Sequence, residues 1–164
     1  MKKLILLAFC VFGLTLSSQA QSIADNALGL RLGGSDGVGT EISYQRGLSD
    51  NNRLELDLGW RNGRYYDAFK LTGLYHWVWN LDGGFNWYAG FGAGIGSVDG
   101  NNDHGDWRDD DNGLFVNAAG NIGIEYDFDF PLLLSLDFRP EFGLINNYTS
   151  DDDFDVALGI RYQF

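Results

Sequence analysis

The closing stretch of the chain, Phe154-Asp-Val-Ala-Leu-Gly-Ile-Arg-Tyr-Gln-Phe164, alternates apolar with small or charged residues without a slip. Successive strand side chains point to opposite faces, so Phe154, Val156, Leu158, Ile160, Tyr162 and Phe164 share one side. Asp155, Ala157, Gly159, Arg161 and Gln163 share the other. The same period of two runs through eight segments, at about 27–34, 38–47, 53–61, 67–79, 84–98, 114–127, 132–144 and 153–164. Between them lie turn-forming runs such as Ser35-Asp-Gly37, Ser49-Asp-Asn-Asn52, Asn62-Gly63, Leu81-Asp-Gly-Gly84 and Asp129-Phe-Pro131. Each gap suits a hairpin, which predicts an all-β, up-and-down antiparallel arrangement of eight strands.

The apolar face carries Leu54, Leu56, Leu58, Trp60, Phe69, Leu71, Tyr75 and Trp77, and continues in kind through the later segments. The other face carries Arg31, Glu41, Arg53, Glu55, Asp57, Lys70, His76, Glu125, Asp137, Arg139, Glu141, Asp155 and Arg161. Two closed barrels fit this pattern, a soluble one with the apolar set inside and a membrane one with it outside. The aromatics favour the second. With an even number of strands both chain ends share a rim, and Tyr44, Trp77, Trp79, Phe85, Trp87, Tyr126, Tyr162 and Phe164 all fall toward that rim. This is the girdle expected at a membrane interface, whereas inside a small soluble barrel the same rings would choke one end. Gly90, Gly92, Gly94 and Gly96 fall on the charged face, as a crowded interior favours. Pro140 stands inside the seventh segment, where a bulge or the end of the strand is expected.

A final strand with aromatics at its last residue and third from last resembles the assembly signal of bacterial outer-membrane β-barrels. Residues 21–164 as a whole resemble the small OmpA/OmpX-type barrels of the porin family. That resemblance implies an eight-stranded transmembrane barrel with short periplasmic turns and longer outer loops. It also implies a monomer embedded in outer-membrane lipid and handled by the barrel assembly machinery.

The N-terminus agrees with export. Met1-Lys-Lys3, the apolar run Leu4–Leu14 and Ser18-Gln-Ala20 read as a signal peptide over residues 1–20, cleaved after Ala20. Cys10, the single cysteine, lies inside the apolar run, so the mature chain is expected to have neither disulfide nor thiol chemistry. The formal charge of the whole chain is -12, and losing Lys2 and Lys3 takes it to -14. Such acidity argues against nucleic acid as a partner.

Chemistry is sparse. The inward charges have both signs, and in so narrow a barrel they predict a salt-bridged plug rather than an ion path. His76 and His104 are the only histidines, and no strand-to-helix nucleophile elbow accompanies them, since Gly33-Gly-Ser-Asp-Gly37, which spells Gly-x-Ser-x-Gly, is a turn between two strand segments, so no catalytic residues are assigned and no enzyme is expected. The acidic run Asp99–Gly113 reads as an exposed loop that could meet an extracellular ligand or surface partner. Asp99, Asn101 and Asp103 match the first alternate oxygens of a calcium loop, but His104 stands where glycine belongs and no glutamate closes it. Together with Asp110 they form a weak candidate site for Ca²⁺ or Mg²⁺; no other cofactor is expected. The function predicted is a structural or surface-interaction barrel, with a small-solute channel and a rim-active lipid-modifying enzyme as alternatives.

Overall fold

The computed structural model describes residues 23–33, 39–62, 66–100, 113–145 and 153–164. Every element in them is a strand: β1 (Asn26–Gly33), β2 (Gly39–Ser49), β3 (Asn52–Asn62), β4 (Tyr66–Asp82), β5 (Phe85–Gly100), β6 (Gly113–Asp127), β7 (Leu132–Ile145) and β8 (Asp153–Gln163). Each pairs antiparallel with its neighbours in chain order, and β8 pairs with β1, so the sheet closes on itself. All eight predicted segments are present, with bounds displaced by a few residues.

Closure leaves no free edge, and it fixes a stagger. Following partners round from Gln163 through Ala27, Gln45, Glu55, Leu74, Gly92, Ala119 and Glu141 returns to β8 at Asp153, ten residues from the start (163 to 153). With a rise of about 3.3 Å per residue and about 4.8 Å between strands, that stagger tilts eight strands by roughly 40°. At the seam, the Phe164 amide donates to the Asn26 carbonyl at 2.9 Å, and Asn26 Nδ2 donates back to the Phe164 carbonyl at 3.3 Å.

The turns on the rim shared with the termini are short. Asp82 pairs with Phe85, and the two residues between, Gly83 and Gly84, have φ of 58° and 86°. Both lie in the left-handed region that a tight primed turn requires and that glycine adopts without strain. Leu81 is the extra residue of a bulge that precedes this turn.

Pro140 corrects the sequence expectation. It neither ends β7 nor bulges it, because β7 continues to Ile145 and Pro140 pairs with Phe154 of β8. On the β6 side the ladder lapses beside it and resumes in the same register, from Ile122↔Phe138 to Ala119↔Glu141. Gly120 lies across from the ring, and a Cβ there would come within 3.3 Å of Pro140 Cγ. The missing donor is thus absorbed by a local gap next to a residue with no side chain. The bulge falls nearer the opposite rim, between Val116 and Asn117.

Burial settles which face is inside. Leu158, Phe91 and Leu144 are 57%, 62% and 64% exposed, while Arg31, Arg53, Arg139 and Arg161 are each 1% exposed. A soluble fold reverses this order.

Candidate functional site

The functional surface of so plain a barrel is its interior, and the interior is filled with charge. Alternation sends every second side chain inward, where the chain places arginines against carboxylates contributed by distant strands. The ion pairs fall into two networks.

Toward the rim that carries the termini, Arg53 meets Glu125 at 2.8 Å and Arg161 meets Glu55 at 3.2 Å. Arg161 also donates to Ser43 Oγ at 3.0 Å and to Ser135 Oγ at 2.8 Å. Gln45 donates to Glu55. His76 is wholly buried; its Nδ1 accepts the Arg53 Nε proton at 3.3 Å and lies 3.9 Å from Glu55. The Tyr88 ring packs 4.9 Å from the His76 ring and 4.6 Å beneath the Arg53 guanidinium. Apolar Leu74, Val78 and Leu133 also point inward, and a cavity of about 20 Å³ near Arg53, Asn86 and Gln45 has room for about one water.

Toward the opposite rim, Arg139 spans four carboxylates: Glu41 at 2.7 Å, Asp57 at 3.0 Å, Glu141 at 3.0 Å and Asp155 at 3.4 Å. Arg31 holds Asp137 at 2.5 Å and Glu41 at 3.1 Å, and also meets Asp155. Lys70 pairs with Glu141, whose carboxylate also accepts the Asn117 amide at 2.5 Å. Among the described residues no ion pair joins the two networks. Tyr88 joins them by a hydrogen bond, donating to Asp137 at 3.4 Å.

The charged residues singled out by alternation are therefore brought together in the lumen. Sequence reasoning passed over Tyr88, although its place one residue from Trp87 in an alternating run was enough to turn it inward. Glycines on the inner face leave room for larger neighbours: a Cβ on Gly90 would collide with His76, and one on Gly96 with Phe115. His76 touches Arg53, Glu55 and Tyr88, which makes it part of the packing. Of the candidate cation ligands, Asp99 is the next-to-last residue of β5, paired with Asp67 of β4, while Asn101, Asp103 and Asp110 lie outside the described residues. No three of the described His, Cys, Asp and Glu side chains converge as a metal-ligand set.

Outside, the aromatics form the girdle anticipated from sequence. Trp79 stacks on Trp87 at 4.3 Å, Phe85 meets Tyr126 at 4.6 Å, and Phe128 extends the row from Tyr126 at 4.6 Å. Toward the other rim Trp60, Phe69, Phe142 and Phe154 are also exposed, with Phe154 stacked on Phe138 at 5.9 Å. Two aromatic rows flanking an aliphatic band, over a charged interior, define a transmembrane β-barrel.

Solved structures bear out that class. The chain resembles the N-terminal β-barrel domain of Pseudomonas aeruginosa OprF, with a TM-score of 0.70 at 15% identity, covering 86% of this chain and 98% of that one. Neisserial surface protein A matches with a TM-score of 0.62 at 11% identity, over 85% and 94% of the two chains. A de novo designed transmembrane β-barrel matches with a TM-score of 0.55 at 16% identity, over 89% and 100%. No family model and no curated protein matches the sequence. The fold is that of the small eight-stranded outer-membrane barrels of OmpA/OmpX type. A designed barrel among such neighbours makes the point physically, since strand number, closure and facing suffice to specify this shape.

Proposed function

We propose that the mature chain resides in a bacterial outer membrane as a monomeric, non-enzymatic barrel that stabilises the envelope and presents acidic loops to the outside. Export by a cleaved signal peptide, delivery through the barrel assembly machinery and contact with outer-membrane lipid belong to the same reading. The observation that supports it is the filling of the lumen: Arg31, Arg53, Arg139 and Arg161 reach across the barrel to carboxylates on other strands and are themselves almost fully buried. Passage of an ion would require breaking buried, multiply bonded pairs, each of which costs several kcal/mol to lose a partner. The interior is therefore read as a strut, and recognition is assigned to the loops. The test is planar-bilayer recording of the purified, refolded protein. The proposal expects no reproducible conductance steps; steady, uniform steps would assign a small-solute channel instead. Lipid analysis of a deletion strain addresses the rim-active enzyme, which predicts an altered lipid species.

A further inference from the structure

The aromatic girdle at the rim that carries the termini is not a complete ring. The stagger of ten residues over eight strands lifts each ladder partner by a little over one residue per strand, and on that count Asn26, Arg46 and Asn52 stand at the height of Tyr162 and Trp87. All three belong to the outward face, since they alternate with the buried, inward Ala27, Gln45 and Arg53. On β1, β2 and β3 the girdle is thus polar, where elsewhere it is built of residues such as Trp79, Trp87, Tyr126 and Tyr162. Among the described outward side chains at this height, Arg46 is the one that carries a charge. It is exposed, and it forms no ion pair with any described carboxylate, whereas Arg31, Arg53, Arg139 and Arg161 each hold at least one. Arg46 Nη1 donates to Asn26 Oδ1 at 2.8 Å, and the Tyr44 hydroxyl donates to the same oxygen at 2.8 Å. One corner of the guanidinium is anchored, and its Nε and Nη2 edge is left without an acceptor among the described residues.

A guanidinium is always charged, and its Nε and Nη2 edge presents two parallel donors that match two oxygens of one phosphate. At girdle height the phosphates of a bilayer are the acceptors within reach. We propose that the polar break in the girdle docks one phosphodiester headgroup of a membrane lipid, in the leaflet next to the termini. Arg46 Nε and Nη2 grip two phosphate oxygens, while Asn26 holds the guanidinium in place. The inference rests on the membrane residence proposed above. A lipid fits better than free phosphate, because the outward face above Arg46 carries the exposed apolar side chains of Leu28, Leu30, Ile42 and Leu56. Acyl chains lying on that surface hold their phosphate beside Arg46 at a high effective concentration. Inorganic phosphate has no such tether, and an exposed ion pair in water gains little.

The test uses the refolded full-length mature chain in dodecyl maltoside micelles and phosphate-free buffer, following the Arg46 Nε–H and the backbone amides of Tyr44 to Gly47 by NMR. Three additives are titrated separately: phosphatidylglycerol, a glucosyl diacylglycerol with the same acyl chains, and inorganic phosphate. The site predicts a saturable shift at Arg46 with phosphatidylglycerol, at least about fivefold larger than with either other additive at equal concentration. The Trp87 indole N–H, at the same height on β5, should move little. Arg46→Gln, a change at an exposed position, should remove the response of the neighbouring amides. Equal shifts with the glucosyl lipid would report only apolar surroundings, and equal shifts with inorganic phosphate would make this a free-anion site. Either result overturns the assignment, as does no shift at all or an undiminished response in Arg46→Gln. A barrel that keeps its dispersed amide spectrum and fails this test loses the lipid site alone. A chain that does not fold in micelles overturns the membrane reading, and the site with it.

Discussion

The two halves of the lumen solve the same packing problem differently. Toward the termini, Arg53 and Arg161 face Glu55 and Glu125, one base for each acid, and the remaining space goes to Leu74, Val78, Leu133 and the Tyr88 ring. Toward the other rim, one guanidinium, that of Arg139, is shared among four carboxylates, and among the described ion pairs the acids outnumber the bases. The first half is matched and partly apolar. The second is a shared-charge cluster in which Arg139, Arg31 and Lys70 hold overlapping sets of carboxylates. Burying charge is tolerable where geometry and hydrogen bonding compensate for the lost water, and it is more precarious where several acids share a base.

That contrast is broken most directly by removing the two central arginines. Arg139→Met should destabilise the folded barrel by about 3–5 kcal/mol, since it leaves Asp57 with no ion-pair partner and takes one of two cations from each of Glu41, Glu141 and Asp155. Arg53→Met strands one carboxylate and should cost at least about 1 kcal/mol less. Adding Asp57→Asn should recover part of the Arg139→Met loss, whereas adding Glu125→Gln should recover none, because separate networks are additive. Urea titrations of the four variants in lipid check this, and equal rescue by both second changes would merge the two halves into one network.

A second comparison, between the two faces of a single strand, carries a somewhat smaller effect. Leu158 and Ala157 are adjacent in β8, one 57% exposed to the exterior and the other 2% exposed within. Leu158→Arg should cost about 2–4 kcal/mol near the bilayer midplane, and Ala157→Ser below about 1 kcal/mol. Refolding into vesicles measures both, and equal costs would reverse the facing.

The smallest effect is expected beyond the lumen, at the acidic stretch from Asp99 to Gly113. Asp99, Asn101, Asp103 and Asp110 should bind Ca²⁺ or Mg²⁺ weakly, on the order of 10⁻⁴–10⁻³ M. Trp107 fluorescence during a calcium titration reads this out, with Asp103→Asn and Asp110→Asn each weakening the response. A flat titration would leave the loop a hydrated surface with no role for a cation.

Strand number, facing and the lumen charges were legible in the sequence because a period of two is a local signal that needs no knowledge of partners. The seam was legible for the same reason: Phe154 to Phe164 alternates so regularly that its face was fixed before its neighbour was known. Pro140 was misjudged because its tolerance depends on Gly120, which is distant in sequence and adjacent only once β6 and β7 pair. The division of the lumen was equally hidden. Which carboxylate Arg139 reaches depends on a stagger of ten residues accumulated around the barrel, and no single segment encodes it. Tyr88 as the link between the halves follows from the same closure.

The central claim, a lumen sealed by its own side chains, is tested most directly by thiol accessibility along β4. The expected mature chain lacks cysteine, so single substitutions Ala68→Cys, Leu74→Cys and Val78→Cys can be placed toward one rim, between the networks and toward the other rim. A small, charged, membrane-impermeant thiol reagent is then applied to either side of vesicles holding the folded protein. The account predicts that Ala68→Cys reacts from one side only, Val78→Cys from the other side only, and Leu74→Cys from neither. Prompt labelling of Leu74→Cys from either side would mean that water and ions reach the middle of the barrel, and would contradict the seal.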